Sequence, residues 1–407
     1  MDGKNSQWER SLMDWTAKIY RNCLAYGDDL PFAAGKADGS YATNGKGHWT
    51  DGFWPGLILL AYADTRDPVL LASYECYIPF LEERAANDAE RNRANGYLHL
   101  DHDVGFIFHL TAVYHWMLTG SEASKRTGLL AAQVLLDRFN ERGAFLRAWN
   151  DWVGDSPDFR EEKKGKAIVD SLMNVPLLFW AHRVTGETRY RDAAERHVGR
   201  LRELIVRADG STHHTFNFNP ETGEPIGGKS VQGYADESCW SRGHAWAIYG
   251  FALAARYTGD RQTLLAARKC AAYWLGSLLP DGDAPWDFAA PRNERLPIDT
   301  SAMAVACCGL LELAAWLPDD AAALRQGAER LASRLTGAHT APPFPRAGAF
   351  VLHGCSGPAY KQGSREEASG QYRNADQPLI FGDYYAFEAL LRLQRGSLKL
   401  PISFDGS

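Results

Sequence analysis

Two carboxylates stand out as candidates for proton transfer: Asp103, in the tripeptide Asp101-His102-Asp103, and Asp170, which follows Gly165-Lys166-Ala167-Ile168-Val169. Crowding of ionisable groups, or entry into a strongly apolar run, raises a carboxyl pKa toward neutrality, as a general acid requires. Four other positions share the pattern of a polar residue ahead of small or apolar ones: Asp51-Gly52-Phe53, Arg242-Gly243-His244, Asp299-Thr300-Ser301 and Asp383-Tyr384-Tyr385. An Asp there also suits a helix N-terminus, so capping and proton transfer are compatible readings of each one. Aromatic residues fall on the same segments: Trp49, Trp54, Trp149, Trp152, Trp240 and Trp246. Such rings stack on the apolar faces of sugars while neighbouring Asp, Asn, His and Arg side chains hydrogen-bond the hydroxyls. The polar segment His213-His214-Thr215-Phe216-Asn217-Phe218-Asn219, followed by Gln232-Gly233-Tyr234-Ala235-Asp236-Glu237-Ser238, leads into Arg242. Two adjacent histidines lack the third ligand that a metal centre needs at helical spacing, so neither a metal nor a cofactor is expected.

These residues need a scaffold that brings distant segments together, and the sequence repeats one unit: an apolar helix, a short turn, then an amphipathic helix. The turns read Tyr62-Ala63-Asp64-Thr65 with Arg66-Asp67-Pro68, then Leu118-Thr119-Gly120-Ser121, Val184-Thr185-Gly186-Glu187, Tyr257-Thr258-Gly259-Asp260 and Trp316-Leu317-Pro318-Asp319. Runs 53–62, 104–117, 172–180, 245–255 and 302–315 are apolar nearly all round, which marks helices buried on most sides. Runs 190–206 and 261–275 mix charge with apolar residues at helical spacing, as an outer layer facing water would. With an opening helix near 8–26 and a closing one near 384–393, the chain counts about twelve helices in six pairs. Six hairpins that bury their apolar faces only against neighbours predict an all-α (α/α)6 barrel filling 1–407 as a single domain, with an open α-solenoid as the alternative. Long connectors, 27–50, 87–101, 144–167, 208–241, 281–298 and 337–381, all precede inner helices, so they gather at one end and carry the function.

Composition narrows the partners. A net charge of -6, with no basic run beyond Lys163, Lys164 and Lys166, gives no field for nucleic acid. The longest weakly polar stretch, 301–317, is interrupted by Glu312 and is too short for a membrane span. The seven cysteines show no disulfide rhythm and read as mostly buried thiols. The first residues, MDGKNSQWERSLMDW, have no basic start and no apolar core of a signal peptide, which points to the cytoplasm, or to the periplasm if a leader has been removed.

Six strings carry a resemblance: His102-Asp103-Val104-Gly105-Phe106, Arg147-Ala148-Trp149-Asn150, Asp170-Ser171-Leu172-Met173-Asn174, Gln232-Gly233-Tyr234-Ala235-Asp236, Trp240-Ser241-Arg242-Gly243-His244-Ala245-Trp246 and Gly382-Asp383-Tyr384-Tyr385. In them the chain resembles the unsaturated glucuronyl hydrolases of glycoside hydrolase family 88. The resemblance implies an (α/α)6 barrel and release of a Δ4,5-unsaturated uronic acid from the non-reducing end of lyase-generated oligosaccharides. An unsaturated rhamnogalacturonyl hydrolase or another glycosidase on the same barrel is the alternative. It implies Asp170 as general acid and base, Asp103 as its carboxylate partner, and His102, Trp149, His214, Gln232, Arg242 and Trp246 as sugar-binding, with Arg242 facing the uronate carboxylate. Trp54 joins them as an aromatic of the expected mouth. The basic segments Arg160-Glu161-Glu162-Lys163-Lys164-Gly165-Lys166 and Tyr360-Lys361-Gln362-Gly363-Ser364-Arg365 are solvated surface charge or receivers of sulfate on a neighbouring sugar.

Overall fold

The computed structural model describes residues 2–43, 45–91, 100–151, 154–342, 347–396 and 398. Along the chain its helices are α1 (Asp2–Tyr26), α2 (Phe53–Thr65), α3 (Pro68–Glu75), α4 (Ile78–Arg91), α5 (Val104–Phe108), α6 (Tyr114–Thr119), α7 (Glu122–Leu136) and α8 (Pro157–Lys164). They continue as α9 (Pro176–Thr185), α10 (Thr188–Leu204), α11 (Ser241–Thr258), α12 (Arg261–Ser277), α13 (Thr300–Trp316), α14 (Ala321–Thr336), α15 (Arg365–Ser369) and α16 (Ile380–Arg395). A π-helical turn, His109–Val113, joins α5 to α6, and a 3-10 turn, Val169–Met173, precedes α9.

Apolar residues on every face drive α2, α5–α6, α9, α11, α13 and α16 inward, and α11 and α13 are buried for most of their length. The outer helices bury one stripe: α10 packs Tyr190, Ala193, Ala194, His197, Val198 and Leu201 inward and turns Asp192, Glu195 and Arg196 to water. Each inner helix packs on the next, from α2 through the π-turn and α9 to α11, α13 and α16, and α16 returns to α2. On the outside α1 packs on α14 and α16. The first and last hairpins therefore bury one another's apolar faces, which closes the ring and excludes the open solenoid. Gly120, Gly186 and Gly259 take φ of +76°, +77° and +70° at the ends of α6, α9 and α11, as the repeated turns predict. In the first turn Arg66 fills that role with φ +59°, and no left-handed residue occupies the fifth.

Two local features depart from the predicted pattern. Asp170 does not open an α-helix: Pro176 lacks an N–H and disfavours helix before it, so the chain runs as a 3-10 turn and α9 starts at the proline. The long connectors also hold strands that an all-α reading leaves out: β1 (Phe139–Asn140) pairs with β2 (Phe145–Leu146), and β3 (Lys166–Ile168), β4 (Thr215–Phe218) and β5 (Pro225–Lys229) form an antiparallel sheet in order β3-β4-β5. Ile168 pairs with Thr215, and the Val169 N–H donates to the His214 carbonyl at 2.9 Å. This register sets Asp170 beside His214.

Gly105 lies so close to Asn174 that a Cβ there would sit 2.6 Å from the Asn174 Cα. Gly105→Ala is therefore expected to cost about 1–3 kcal/mol, because backbone must move. Asp383, expected at the mouth, instead lies buried within α16, where it accepts from Tyr41 Oη at 2.9 Å and from the Phe350 and Val351 N–H groups at 3.0 Å each. Asp383→Ala strands those donors and should cost about 3 kcal/mol or more. Urea unfolding of both variants checks these values, and losses below about 1 kcal/mol would contradict the packing described.

Candidate active site

A cavity of about 270 Å³ opens where the long connectors meet the inner ring. Asp103, Asp170, Arg242, Trp149, Trp240 and Trp246 line it, together with His48, Trp49, Arg84, Asp101, His102, Asn150, Asp151, Gln232 and Ser356. Asp103 precedes α5 and Asp170 rides on the 3-10 turn; Asn174 joins the two. Its Oδ1 accepts from the Phe106 N–H at 2.7 Å, its Nδ2 donates to the Asp170 carbonyl at 3.1 Å, and the missing side chain of Gly105 admits it. Neither Asp103 nor Asp170 caps a helix through its side chain, which leaves both carboxyls facing the cavity.

Burial dominates the electrostatics. It pushes the Asp170 carboxyl up to about 7 against the opposing charge of Arg242, with Asp101 adding to the rise. Burial also holds Asp103 well above the usual carboxylate range, and the negative charges of Asp101 and Asp170 push the same way. Both carboxyls are thus pushed toward their neutral forms in the free site. The neighbouring histidine agrees. His102 Nδ1 lies 2.9 Å from the Ala148 carbonyl, which can only accept, and burial keeps the ring neutral. Its bare Nε2 then faces Asp103 Oδ1 at 3.2 Å, a contact between two lone pairs unless Asp103 carries a proton.

His214 has the other tautomer. Its Nδ1 accepts from the Gln232 N–H at 3.1 Å, so the single proton of this buried ring sits on Nε2, 3.7 Å from Asp170 Oδ2. The ring lies behind the cavity wall, 4.7 Å from the Trp240 ring and 6.3 Å from that of Trp149.

Arg242 is nearly fully buried. Its Nη1 donates to Asp299 Oδ2 at 2.7 Å, Ser301 Oγ at 3.2 Å and the Cys355 carbonyl at 2.5 Å, and the guanidinium lies over Trp240 and Phe381 at 4.7 and 5.0 Å. Its charge is balanced by Asp299, so it presents the cavity with a cation already paired.

The structure thus brings Asp103, Asp170, His102, Trp149, Gln232, Arg242 and Trp246 to one cavity, with His214 immediately behind. Trp54 is not among them. It is buried in α2, where its Nε1 donates to Tyr77 Oη at 3.0 Å, because the face of α2 that carries it points to the outer layer rather than the mouth. Trp152 lies outside the described residues. Of the other expected mouth acids, Asp299 caps α13 through the Ser301 and Ala302 N–H groups and pairs with Arg242. Asp51 accepts from the Gly47 and His48 N–H groups and pairs with Arg84. Both basic segments have internal partners: Lys163 with Asp155, Lys166 with Glu162, and Lys361 with the carbonyls of Ser230, Val231 and Gly233. Sequence reasoning missed Arg84 and Ser356. Arg84 sits on an amphipathic outer helix and reads like any solvated arginine, and Ser356 belongs to a connector without periodicity.

With this geometry in hand, similarity to known proteins is informative. Residues 34–264 match the sequence profile of Glycosyl Hydrolase Family 88. The chain is 36% identical to the unsaturated glucuronyl hydrolase of Bacillus sp. strain GL1, over 96% of this chain and 97% of that one. It is 32% identical to an unsaturated chondroitin disaccharide hydrolase of Streptococcus pyogenes serotype M1, over 93% and 89%. The crystal structure of the Bacillus sp. GL1 enzyme superposes with a TM-score of 0.84 at 34% identity, covering 96% of this chain and 98% of that one. A variant of the Streptococcus agalactiae unsaturated glucuronyl hydrolase in complex with dGlcA-GalNAc6S superposes with a TM-score of 0.77 at 29% identity, covering 96% and 92%. Matched over more than half its length and similar to these relatives from end to end, the chain belongs to glycosyl hydrolase family 88 and is a glycoside hydrolase.

Proposed function

We propose that this chain releases a Δ4,5-unsaturated uronic acid from the non-reducing end of lyase-generated oligosaccharides of the glycosaminoglycan type. The observation that carries the reading is a pair of desolvated carboxyls, Asp103 and Asp170, sharing one sugar-sized cavity walled by tryptophans. Ordinary glycoside hydrolysis sets its two carboxyls across the glycosidic bond as acid and nucleophile or base. An enol ether needs something else: one proton donor whose pKa lies near working pH, and a water on the adjacent carbon.

Asp170 meets the first requirement. Its proton goes to C4, the C4=C5 electron pair forms the new C–H bond, and oxocarbenium character develops at C5 and the ring oxygen. Water adds at C5 and its proton returns to Asp170, which leaves a hemiketal. The hemiketal opens to a C5 ketone, and the hemiacetal this frees at C1 expels the remaining saccharide. One water is consumed. A negative charge nearby lowers the barrier to the cationic transition state. Asp103, when ionised, supplies that charge from beside Asp170, with the His102 Nε2 3.2 Å from its Oδ1. Trp149 and Trp246 provide ring faces for stacking, Gln232 provides an amide for hydroxyls, and Arg242 turns the rest of its guanidinium to the uronate.

The reaction removes the conjugated enol-uronate, so the test is loss of its ultraviolet absorbance on incubation with unsaturated disaccharides from chondroitin, hyaluronan and heparin. No loss on any of them would end the reading. Asp170→Asn should lower kcat about a thousandfold or more while the unfolding midpoint stays close to wild type. Persistence of turnover would remove Asp170 from the role. Because Asp170 must hold a proton to deliver it, and burial keeps that proton to about pH 7, kcat/KM should fall as pH rises through about 7. A limb near pH 4, the range of a solvated carboxyl, would contradict the assignment.

A further inference from the structure

Lys361 and His214 lie outside the cavity lining, yet a continuous set of contacts runs from one through the other to Asp170. The Lys361 ammonium donates to the carbonyls of Ser230 at 3.3 Å, Val231 at 2.6 Å and Gly233 at 2.6 Å. These carbonyls flank Gln232, whose backbone N–H reaches His214 Nδ1 at 3.1 Å. With Nδ1 occupied as an acceptor, the Nε2–H is the edge turned toward Asp170 Oδ2. Both atoms are buried and have no hydrogen-bond partner among the described residues. A gap of 3.7 Å is too long for a formed hydrogen bond, but contacts of this kind tighten when charge appears.

We propose that Lys361 and His214 are positioning residues for proton transfer: Lys361 clamps the 230–233 loop, the loop fixes the His214 tautomer, and the Nε2–H closes on Asp170 when it becomes a carboxylate. The inference rests on Asp170 as the proton donor. Stabilising the conjugate base makes a better acid, so His214 offsets the penalty that burial places on the ionised form. The other charged groups around Asp170 are Arg242 on α11 and Asp101 and Asp103 ahead of α5, and those around His214 include His102, Lys166 and Arg242. Of these, Asp101 and Asp103 oppose ionisation of Asp170, and the paired Arg242 favours it. His214 adds a neutral donor aimed at the carboxyl from the opposite tautomer to that of His102. The same geometry assigns Lys361 a role inside the protein rather than on a sulfate of the substrate, since its ammonium donates to three carbonyls.

Four variants of the full chain decide the matter, assayed by ultraviolet absorbance on an unsulfated unsaturated chondroitin disaccharide. His214→Asn keeps an acceptor for the Gln232 N–H and lacks the distal donor. It should lower kcat about tenfold or more, leave KM within about threefold, and move the alkaline limb of kcat/KM upward by about half a unit or more. His214→Gln places an amide near the lost Nε2–H and should recover most of the loss. Lys361→Met should reduce kcat on the same unsulfated substrate and displace the limb in the same direction by a smaller amount, and Lys361→Arg should recover part of it. An alkaline limb unmoved in His214→Asn overturns the inference. So does Lys361→Met that turns over the unsulfated disaccharide like wild type and raises KM only for sulfated ones. Wild-type turnover of the disaccharide tests the uronide reading separately, because the variants are judged only against it.

Discussion

The contact between Gly105 and Asn174 is the constraint on which the site depends. Asp103 and Asp170 belong to different hairpins and are joined by one asparagine that bonds the first turn of α5 with its carbonyl and the 3-10 turn with its amide. A side chain at position 105 would hold the two turns apart, so the smallest residue there is what lets the carboxyls share a cavity. The closed ring then holds this junction from all sides. Because α16 packs on α2 and α1 on α14, the ring closes around this junction.

Desolvation does most of the chemical tuning. Both carboxyls are largely withdrawn from solvent, and each is pushed toward its neutral form before any particular neighbour is counted. The neighbours then separate them. His102 offers Asp103 an acceptor, which suits a protonated carboxyl, and His214 offers Asp170 a donor, which suits an ionised one. Opposite tautomers follow from opposite backbone partners, a carbonyl in one case and an N–H in the other. Arg242 is kept from dominating this balance by Asp299, whose carboxylate is fully buried against it. A buried cation without that partner would favour the ionised form of Asp170 more strongly, against the burial that keeps its proton in place.

The ring itself was legible in the sequence because both of its signals are local. Helices apolar on every side must be inner, helices with a charged face must be outer, and glycines at 120, 186 and 259 mark where one passes to the other. Asp103 and Asp170 were legible for the same reason, since crowding and an apolar approach are visible in the neighbouring residues. The errors have a common origin. Asp51, Asp299 and Asp383 share the sequence pattern of the cavity acids, yet they hold Arg84, Arg242 and a cluster of backbone donors in place. Trp54 shares the pattern of the wall tryptophans and faces the opposite way. The pairing of β3 with β4 was hidden because it joins residues about fifty positions apart, and β4 and β5 are too short for their pattern to stand out within a long connector.

Alone, then, the sequence determined the periodicities of burial, the turns between layers and the residue types able to move a proton, because each depends on neighbours within a few positions. Only the tertiary structure decided which acids face the cavity, which histidine donates and which accepts, and which cations are already paired. Those properties depend on backbone groups and counter-charges delivered from distant hairpins, and the free energy of a buried charge is set by what surrounds it in space.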